Sequence, residues 1–447
     1  MGLLDRIRGD GGPRVAFIGI DGVPYSLLAD NAEEFEHIAA LESEGAGGPM
    51  DSIEPPESSA CWPALTTGVN PGETGVYGFQ DRETGSYDTY VPMGRDVQAE
   101  RIWNRVEESG REATVMNVPV TSPPERGIQR MVSGFLSPGV GKAAYPEEIR
   151  EYLEGMGYRL DVNAKLGHSD DRAEFVADAH DTVEKRHEAF THYIEEDDWD
   201  MFFGVYMTTD RVNHFLFEDY ERDGPYREEF LEFYRTIDEY IGEIRRMLPD
   251  DVTLVVASDH GFTTLDYDVD CNTWLRNRGW LSLQEDPSEL DDIAEGTQAY
   301  SLGPGRFYVN LEGREPRGSV AEAEYESVRD ELAAEIETME SPDGEPVIKR
   351  VVTREDAFRG EHTEIAPDLV AIPENGFDLK AGFSTTDTVF SSSPRNGMHT
   401  FDNSSLFIDD ESARLQDADL YDVAPTLLSL MDVNYDRGNF DGTTLVK

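Results

Sequence analysis

Residues 15–22 read VAFIGIDG, an uninterrupted apolar run that ends in an aspartate and a glycine. Two later stretches have a similar form: MFFGVYMTTD at 201–210 and TLVVASDHG at 253–261. Continuous apolar runs of this length are typical of strands that are buried on both faces of a parallel sheet. The three runs therefore predict neighbouring strands in the core of one sheet.

Two segments with helical periodicity, 171–196 and 227–248, lie between these runs. Alternation of strand and helix predicts an α/β fold with a central, mostly parallel sheet flanked by helices. In such sheets, ligands bind beyond the carboxyl ends of the strands. The aspartates that follow the three apolar runs are therefore expected to meet at one edge of the sheet: Asp21, Asp210 and Asp259.

The residue pattern of the chain changes after Asn272. Residues 276–360 combine strand-like GRFYVNL and VIKRVV with a helix-like segment and the turn SPDGEP, which indicates a small α+β unit. We interpret this unit as a cap-like insertion beside the substrate site. The catalytic core would then comprise residues 14–275 and 361–447, resuming with the apolar run at 367–373.

The charge balance is strongly acidic, with 92 Asp and Glu against 38 Lys and Arg and a formal charge of −54. Only six of the basic residues are lysine. This balance argues against binding a nucleic acid polymer, which requires a basic surface. Because self-repulsion at this charge destabilises a compact state unless counterions screen it, we predict a halophilic protein.

Location is predicted from the cysteines and from hydropathy. Cys61 and Cys271 lie far apart in the sequence and form no disulfide framework, which fits a reducing compartment. The amphipathic N-terminal segment 1–14 is too short and too charged for a secretory signal, and no run reaches the ~18 apolar residues of a membrane span. We expect a cytoplasmic protein without a stable membrane anchor, and its oligomeric state stays open.

A pair of serines lies in PPESSACWPALTTGVNPGETG, residues 55–75. The segment 60–67 has helical character and is closed by Gly68. A hydroxyl just before a helix can cap its first turn, and the same position favours a nucleophile because the helix end is positive. From these residues alone, either Ser58 or Ser59 could have this role.

Aspartate and histidine pairs suggest metal ligands. Asp210 and His214 stand four apart, so one helical turn places both on one face. Asp259 and His260 are adjacent, and His399 lies in a loop-like segment. Mixed Asp and His ligands suit zinc or manganese better than calcium. Three aspartates and three histidines exceed the needs of one tetrahedral ion, which predicts two divalent ions, roughly 3.5–4 Å apart in a hydrolytic centre.

Eight ordered segments, spread from about residue 14 to the C-terminus, resemble the alkaline phosphatase superfamily, in particular its type I phosphodiesterase/nucleotide pyrophosphatase branch. The segments are IDGVPYSLL, PPESSACWPALTTGVNPGETGVYGF, MTTDRVNHF, VASDHGF, GRFYVNLEGREPRG, APDLV, HTFDN and DVAPTLLSLM.

The resemblance implies roles for individual residues. In that family the nucleophile is a threonine or serine ten residues before the glycine of a TG pair, which is Ser58 when counted from Gly68. Ser59 would then only border it. The implied metal ligands are Asp21, Ser58, Asp259 and His260 for one ion and Asp210, His214 and His399 for the other.

The chain departs from the family pattern at Cys61, where nucleotide pyrophosphatases usually carry an asparagine that helps to hold the phosphoryl oxygen. This difference leaves nucleotide specificity open. Sulfatases use a cysteine in a C-x-P-x-R motif, but CWPAL lacks the arginine and Cys61 lies three positions past the nucleophile. A sulfatase is therefore the least favoured alternative.

The implied function is a metal-dependent phosphohydrolase that acts on a small-molecule phosphoester, with a diester favoured, through a phosphoserine intermediate. A phosphomonoesterase, or a phosphomutase or phosphoryl transferase that passes the phosphoryl group to an alcohol, could use the same site. A catalytically silent binding protein is disfavoured because all seven implied site positions carry competent residues.

Overall fold

The computed structural model describes residues 12–196, 198–383 and 385–447. Most of the N-terminal segment interpreted above, residues 1–11, lies outside the described residues. Among the residues that are described, none of the helices has the length and apolar character required to cross a bilayer.

The described residues form both long strands of a central sheet and short strands in surrounding loops. The strands are β1 (Arg14–Ile20), β2 (Ala46–Met50), β3 (Asp81–Arg82), β4 (Thr89–Tyr90), β5 (Ala113–Val118), β6 (Arg130–Ser133), β7 (Ala144–Tyr145), β8 (Met201–Tyr206), β9 (Val252–Ala257), β10 (Gly261–Thr264), β11 (Tyr267–Asp270), β12 (Ala299–Leu302), β13 (Arg306–Val309), β14 (Ile348–Thr353), β15 (Leu369–Pro373), β16 (Phe377–Lys380), β17 (Phe390–Ser391), β18 (Gly397–Thr400) and β19 (Ser404–Ile408).

The helices alternate with the strands of the central sheet. They are α1 (Tyr25–Asp30), α2 (Glu36–Glu44), α3 (Ser58–Thr67), α4 (Pro71–Thr74), α5 (Ile102–Glu108), α6 (Val140–Ala143), α7 (Glu147–Met156), α8 (Ala173–Glu196), α9 (Thr208–Glu221), α10 (Arg227–Met247), α11 (Cys271–Arg278), α12 (Tyr325–Ile336), α13 (Arg354–Ala357) and α14 (Val423–Leu430).

Within the described residues the central sheet has eight strands in the order β2-β19-β9-β1-β8-β5-β6-β7. The five strands from β9 to β6 run parallel to their neighbours, whereas β19 and β7 pair antiparallel. The three apolar runs form β1, β8 and β9, and β1 lies between the other two. The predicted α/β fold with a mostly parallel sheet is therefore confirmed.

Strand β1 shows why the apolar run is continuous. Ala16, Ile18 and Ile20 pack into the core that contains α2, α8, α9 and α10, whereas Val15 and Phe17 pack into a second core with α3, α5 and α14. Successive side chains of a strand point to opposite faces of the sheet. Because helices cover both faces, every position of the strand is apolar.

Helix α3 lies very close to β1. A Cβ atom on Gly19 would lie 2.4 Å from the Trp62 ring, so only glycine allows this approach. At the other end of the helix, Gly68 adopts a φ of 70° as the C-cap and accepts the left-handed conformation without strain. The two glycines fix where the N-terminus of α3 meets the edge of the sheet.

A second sheet has the strand order β12-β13-β15-β14 and packs against α11 and α12 around its own apolar core. Strand β15 pairs with β13 and β14, so the run at 367–373, which the sequence places with the resumed core, belongs to this second sheet. An apolar run indicates a buried strand but does not identify its sheet. The division of the chain at 275 and 360 stays a prediction.

Candidate active site

The three aspartates predicted to meet do lie at one edge of the central sheet. Asp21 follows β1 and Asp259 follows β9, two paired parallel strands. Asp210 comes after β8 but lies in the first turn of α9 rather than at the strand end. All three are buried, with 0–2 % exposure. The sheet topology thus places three carboxylates together away from bulk solvent.

Ser58 is the first residue of α3, which begins two residues earlier than the sequence indicates. Its Oγ lies 3.1 Å from His260 Nε2 and 3.4 Å from Asp21 Oδ1. Glu57 occupies the N-cap position and makes no side-chain capping hydrogen bond. The Ser58 hydroxyl therefore faces a carboxylate and an imidazole instead of serving as a helix cap.

The other hydroxyls of this segment face elsewhere. Thr66 and Thr67 donate 2.7 Å hydrogen bonds to the carbonyls of Trp62 and Pro63, as packing residues do in helices. Ser59 is buried, and its Oγ has no hydrogen-bond partner among the described residues. Of these four hydroxyls, only that of Ser58 forms a hydrogen bond with the carboxylate cluster.

Asp21 is held from two sides. Trp62 Nε1 donates a 2.7 Å hydrogen bond to Asp21 Oδ2, and Thr209 Oγ1 donates one of 2.6 Å to the Asp21 carbonyl. Burial, and then the charges of Asp259 and Asp210, raise the pKa of the Asp21 carboxyl well above its usual range. A buried group of carboxylates is costly unless cations or protons compensate the charge.

Asp259 and His260 complete the first cluster. Asp259 Oδ1 accepts a 3.2 Å hydrogen bond from the Gly22 amide, whereas its buried Oδ2 has no hydrogen-bond partner among the described residues. Burial raises the pKa of Asp259 to about 7. His260 Nε2 lies 3.6 Å from a carboxylate oxygen of Asp21 and of Asp259, and its Nδ1 lies 3.0 Å from the Gly261 carbonyl. Nε2 is thus directed at the carboxylates.

Asp210, His214 and His399 form a second cluster. Asp210 Oδ1 lies 3.3 Å from His214 Nε2 and 3.2 Å from His399 Nε2, and the two Nε2 atoms are 3.1 Å apart. The predicted helical pairing of Asp210 with His214 is realised in α9. Three potential ligand atoms that converge in this way form an arrangement typical of a metal site.

The short ladder between β10 and β18 brings the two clusters together. It places His399 opposite Phe262, two residues after His260, and the His260 and His399 rings stack with centroids 3.8 Å apart. Ligand atoms of Asp21, Asp259 and His260 lie within 4.8 Å of one another, as do those of Asp210, His260 and His399. His260 thus lies between the two clusters.

Protonation states favour cation binding. Burial lowers the pKa of His260, His399 and His214, so their rings are neutral and can donate a lone pair. Burial alone would raise the pKa of Asp210, but His214, His399 and Arg211 together hold it well below its usual range. Neutral imidazoles, crowded carboxylates and the unpartnered Asp259 Oδ2 fit divalent cations with mixed N and O ligands.

Arg211 is a site residue that the sequence analysis missed. Its Nη1 lies 3.2 Å from Asp210 Oδ2 and its Nη2 lies 3.0 Å from Asp161 Oδ2, while the guanidinium covers the Phe135 ring at 4.7 Å. Arg211 therefore fixes the second oxygen of Asp210 and leaves Oδ1 to the histidines. Its position next to Asp210 in the sequence was the available signal.

Cys61 is a buried residue of α3, the helix that Ser58 begins. Its Sγ lies 3.4 Å from Ser52 Oγ, and Ser52 donates a 2.6 Å hydrogen bond to the Asp259 carbonyl. Burial, and then the nearby Asp259, raise the pKa of the Cys61 thiol well above its usual range. A protonated, buried thiol is a poor nucleophile, and both cysteines are free and buried.

A cavity of about 550 Å³ opens beside the second cluster, with His214 and His399 in its wall. Glu57, the neighbour of Ser58, also lines it. Aromatic and aliphatic side chains form much of the remaining wall, together with four cationic side chains. The apolar lining includes Phe79, Phe135, Phe215, Leu379 and Phe401, and the cations are Arg211, Lys349, Lys380 and Arg395.

Comparison with solved structures finds the same architecture. Phosphonoacetate hydrolase from Sinorhizobium meliloti 1021, in complex with phosphonoformate, has a TM-score of 0.60 at 16% identity, covering 94% of this chain and 96% of that chain. Murine ectonucleotide pyrophosphatase/phosphodiesterase 5 has a TM-score of 0.56 at 14% identity, covering 96% of this chain and 97% of that chain. The human protein of that name has a TM-score of 0.57 at 13% identity, with 96% and 97% coverage.

Sequence comparison identifies the family. No curated protein sequence matches the chain. A family profile described as type I phosphodiesterase/nucleotide pyrophosphatase, however, matches residues 15–402. This match includes every residue of the two clusters and confirms the resemblance to this branch of the alkaline phosphatase superfamily. The chain therefore belongs to the type I phosphodiesterase/nucleotide pyrophosphatase family and is a hydrolase that acts on phosphoric ester bonds.

Proposed function

We propose that the protein hydrolyses small-molecule phosphodiesters through a covalent phosphoserine intermediate on Ser58, at a site for two divalent metal ions. The proposal depends mainly on one observation. The Ser58 hydroxyl begins a helix and lies 3.1 Å from His260 and 3.4 Å from Asp21, in a buried cluster of potential metal ligands. A serine in that environment can be activated as a nucleophile.

We assign the ligands of the two ions according to the contacts. The first set is Asp21, Ser58, Asp259 and His260, and the second set is Asp210, His214 and His399. His260 is assigned to the first set because it contacts Ser58 and both carboxylates of that set. Zinc suits these mixed nitrogen and oxygen ligands, and manganese is the alternative.

The chain's own residues would divide the reaction into two displacements. Ser58 Oγ forms a bond to phosphorus as the alcohol oxygen of the ester leaves with the bonding electrons. Water then attacks the phosphoserine, and Ser58 Oγ leaves in turn. Bound divalent ions would lower the pKa of the hydroxyl and neutralise charge on the phosphoryl oxygens. The positive end of α3 favours the same charge.

The surroundings support a diester with one substantial organic group. The cavity of about 550 Å³ beside His214 and His399 offers an apolar wall for the ester group that the scissile phosphorus carries. The phosphonoformate bound to phosphonoacetate hydrolase, a structural neighbour, makes phosphonates reasonable test substrates. We also retain two proposals from composition: operation at high salt, and a cytoplasmic location, which fits the two free, buried cysteines.

A substrate panel tests this function. Phosphodiesters, phosphomonoesters and phosphonates would be assayed with zinc and with manganese, at molar salt, and again after removal of metal with a chelator. We expect metal-dependent turnover with the highest kcat/KM for diesters. Added alcohol distinguishes hydrolysis from transfer, because a transferase would form a new phosphodiester in place of the phosphomonoester that hydrolysis releases. Turnover of diesters without divalent metal would overturn the proposal.

A further inference from the structure

The cavity wall is unusually cationic for this chain. The protein has a formal charge of −54 and only six lysines, yet two lysines and two arginines line this one cavity. The four cations are Arg211, Lys349, Lys380 and Arg395, and the acidic residues in the same wall are Glu57, Asp378 and Asp402. Anionic ligands are favoured where cations concentrate in a cleft with apolar walls.

Three of these cations have a carboxylate of their own. Arg211 contacts Asp161 at 3.0 Å, and Lys349 lies 3.7 Å from Asp402. Lys380 forms a close ion pair with Asp378 and also lies 4.0 Å from Asp268. Each of these charges is therefore at least partly compensated within the protein.

Arg395 is compensated least. Its Nη2 lies 3.7 Å from Asp378, a carboxylate that Lys380 contacts more closely. Its Nε is buried and has no hydrogen-bond partner among the described residues. The closest polar contact of the guanidinium is with a ring nitrogen, His214 Nδ1, at 2.8 Å. Arg395 thus shares Asp378 with a cation that contacts it more closely, and its Nε donor is unused.

The contact between Arg395 and His214 competes with a second contact of the same ring nitrogen. His214 Nδ1 also lies 3.1 Å from the Gly397 carbonyl. One ring nitrogen cannot donate to a carbonyl and accept from a guanidinium at the same time. When Nε2 presents its lone pair toward Asp210 and His399, the proton is on Nδ1 and is donated to Gly397. In that tautomer Arg395 has no acceptor on His214 and is available to a ligand.

We propose that Arg395, with Lys380 beside it, binds a second anionic group of the substrate, a carboxylate or a second phosphate, next to the scissile phosphoryl group. This inference rests on the proposed function and specifies its substrate class: small phosphoesters or phosphonates that carry another oxyanion. Arginine suits the role because its planar guanidinium donates two parallel hydrogen bonds to a carboxylate or a phosphate.

Matched esters test the specificity. Methyl, 2-carboxyethyl and 2-phosphoethyl esters of 4-nitrophenyl phosphate all release 4-nitrophenolate and differ in the group offered to Arg395. We expect kcat/KM for one of the charged esters to exceed that for the methyl ester by ~10-fold or more, the effect of one or two charge-assisted hydrogen bonds. The better of the two charged esters distinguishes a carboxylate from a phosphate.

Variants of Arg395 and Lys380 test whether these residues cause the preference for charged esters. Arg395→Gln should bring this ratio to within about twofold of unity, and Lys380→Met should reduce it by a smaller factor. Arg350→Gln is the matched control, because Arg350 is exposed, pairs with Glu54 and does not line the cavity, so it should keep the ratio. Circular dichroism checks that each variant is folded. A ratio near unity in the unaltered protein, or one that Arg395→Gln leaves unchanged, overturns the proposal.

Binding provides a readout that does not depend on turnover. Zinc-loaded Ser58→Ala protein would be titrated by calorimetry with phosphonoacetate and with propylphosphonate, which lacks the carboxylate. We expect phosphonoacetate to bind ~10-fold more tightly and the double variant with Arg395→Gln to lose that difference. Loss of discrimination with normal diester turnover would reject only the Arg395 proposal. Intact discrimination without turnover of any ester by the unaltered protein would reject only the proposed hydrolysis.

Discussion

Trp62 Nε1 donates a 2.7 Å hydrogen bond to Asp21 Oδ2, while the other oxygen of that carboxylate lies 3.4 Å from Ser58 Oγ. The indole comes from the helix that Ser58 begins, and a Cβ on Gly19 would clash with its ring. One helix therefore supplies both the candidate nucleophile and the group that orients its nearest carboxylate.

This relationship predicts the effect of Trp62→Phe. The variant keeps most of the buried ring but removes the donor, so Asp21 loses an orienting hydrogen bond. We expect metal affinity to fall ~10–100-fold, as is usual when a group that orients a ligand is lost. Competition with a chelator measures the metal affinity. Trp103→Phe is the control, because Trp103 is equally buried and donates to Glu125, remote from the cluster. Equal metal affinity in both variants would contradict the assigned role.

The second prediction concerns the two adjacent serines. Ser58→Ala should lower kcat by at least ~10³, or roughly 4 kcal/mol of activation free energy, because it removes the hydroxyl on which the proposed covalent intermediate forms. Ser59→Ala should cost less than about tenfold, since its Oγ has no polar partner among the described residues. Phosphopeptide mapping of acid-quenched enzyme should locate the phosphate on Ser58. Label on Ser59 or Thr67 would show that the assignment is wrong.

The fold was largely predictable because its central strands are buried on both faces. That burial leaves continuous apolar runs, and β1, β8 and β9 were found from them. The pairing of β15 with β13 and β14 was not predictable, because an apolar run does not say which sheet receives it. Such pairing depends on tertiary contacts between segments far apart in the sequence.

The acids and histidines of the site could be predicted for a related reason. Asp21 and Asp259 follow central strands, and the topology of a parallel sheet brings such positions together. Trp62 and Arg395 were missed. A tryptophan in an apolar helix resembles a packing residue. Arg395 lies in a segment without helix or strand periodicity, so the sequence does not indicate where its side chain points. Their contacts arise only after the chain has folded.

The third prediction concerns metal content. Active protein should contain about two equivalents of transition metal per chain by elemental analysis. His399→Ala should reduce this to about one, because it removes a ligand of the second set and leaves Asp21, Asp259 and Ser58 unchanged. The control is His37→Ala. His37 lies on α2 and pairs with Glu239, so this variant should keep both ions. One ion or none in fully active protein would refute the two-metal assignment.

The fourth prediction concerns the pH dependence of stability. His187 is buried between Tyr206, at 2.8 Å from Nδ1, and Glu243, at 3.1 Å from Nε2, and it stacks on Tyr240. Burial lowers its pKa in the folded protein, while Glu243 opposes this effect. The folded-state pKa of His187 lies below the unfolded value of about 6.5. Its stability contribution is therefore complete above pH ~6.5 and is lost as the pH falls from there through the folded-state pKa.

Urea unfolding of metal-free protein at about pH 7.5 and about pH 5.5 measures this contribution, because the interval spans the unfolded-state pKa of about 6.5. We expect His187→Gln to lose less unfolding free energy across this interval than the unaltered protein. Glu243→Gln should lose more, because removing the carboxylate lowers the pKa of His187 further. Identical losses in all three proteins would exclude His187 as a source of the pH dependence.

The last prediction concerns salt. A formal charge of −54 on a folded chain produces strong repulsion among surface carboxylates, which is relieved when the chain unfolds and expands. Raising the salt concentration from about 0.1 M to about 1 M shortens the Debye length from ~10 Å to ~3 Å, so this repulsion should be screened. We expect the unfolding temperature, followed by circular dichroism, to rise substantially in molar KCl.

Sucrose is the control, because it stabilises proteins by exclusion from their surface and does not screen charge. Equal unfolding temperatures in dilute buffer and molar KCl would reject the halophilic interpretation. They would leave the proposed chemistry of Ser58 intact, because the buried clusters at the sheet edge are screened much less than surface charges.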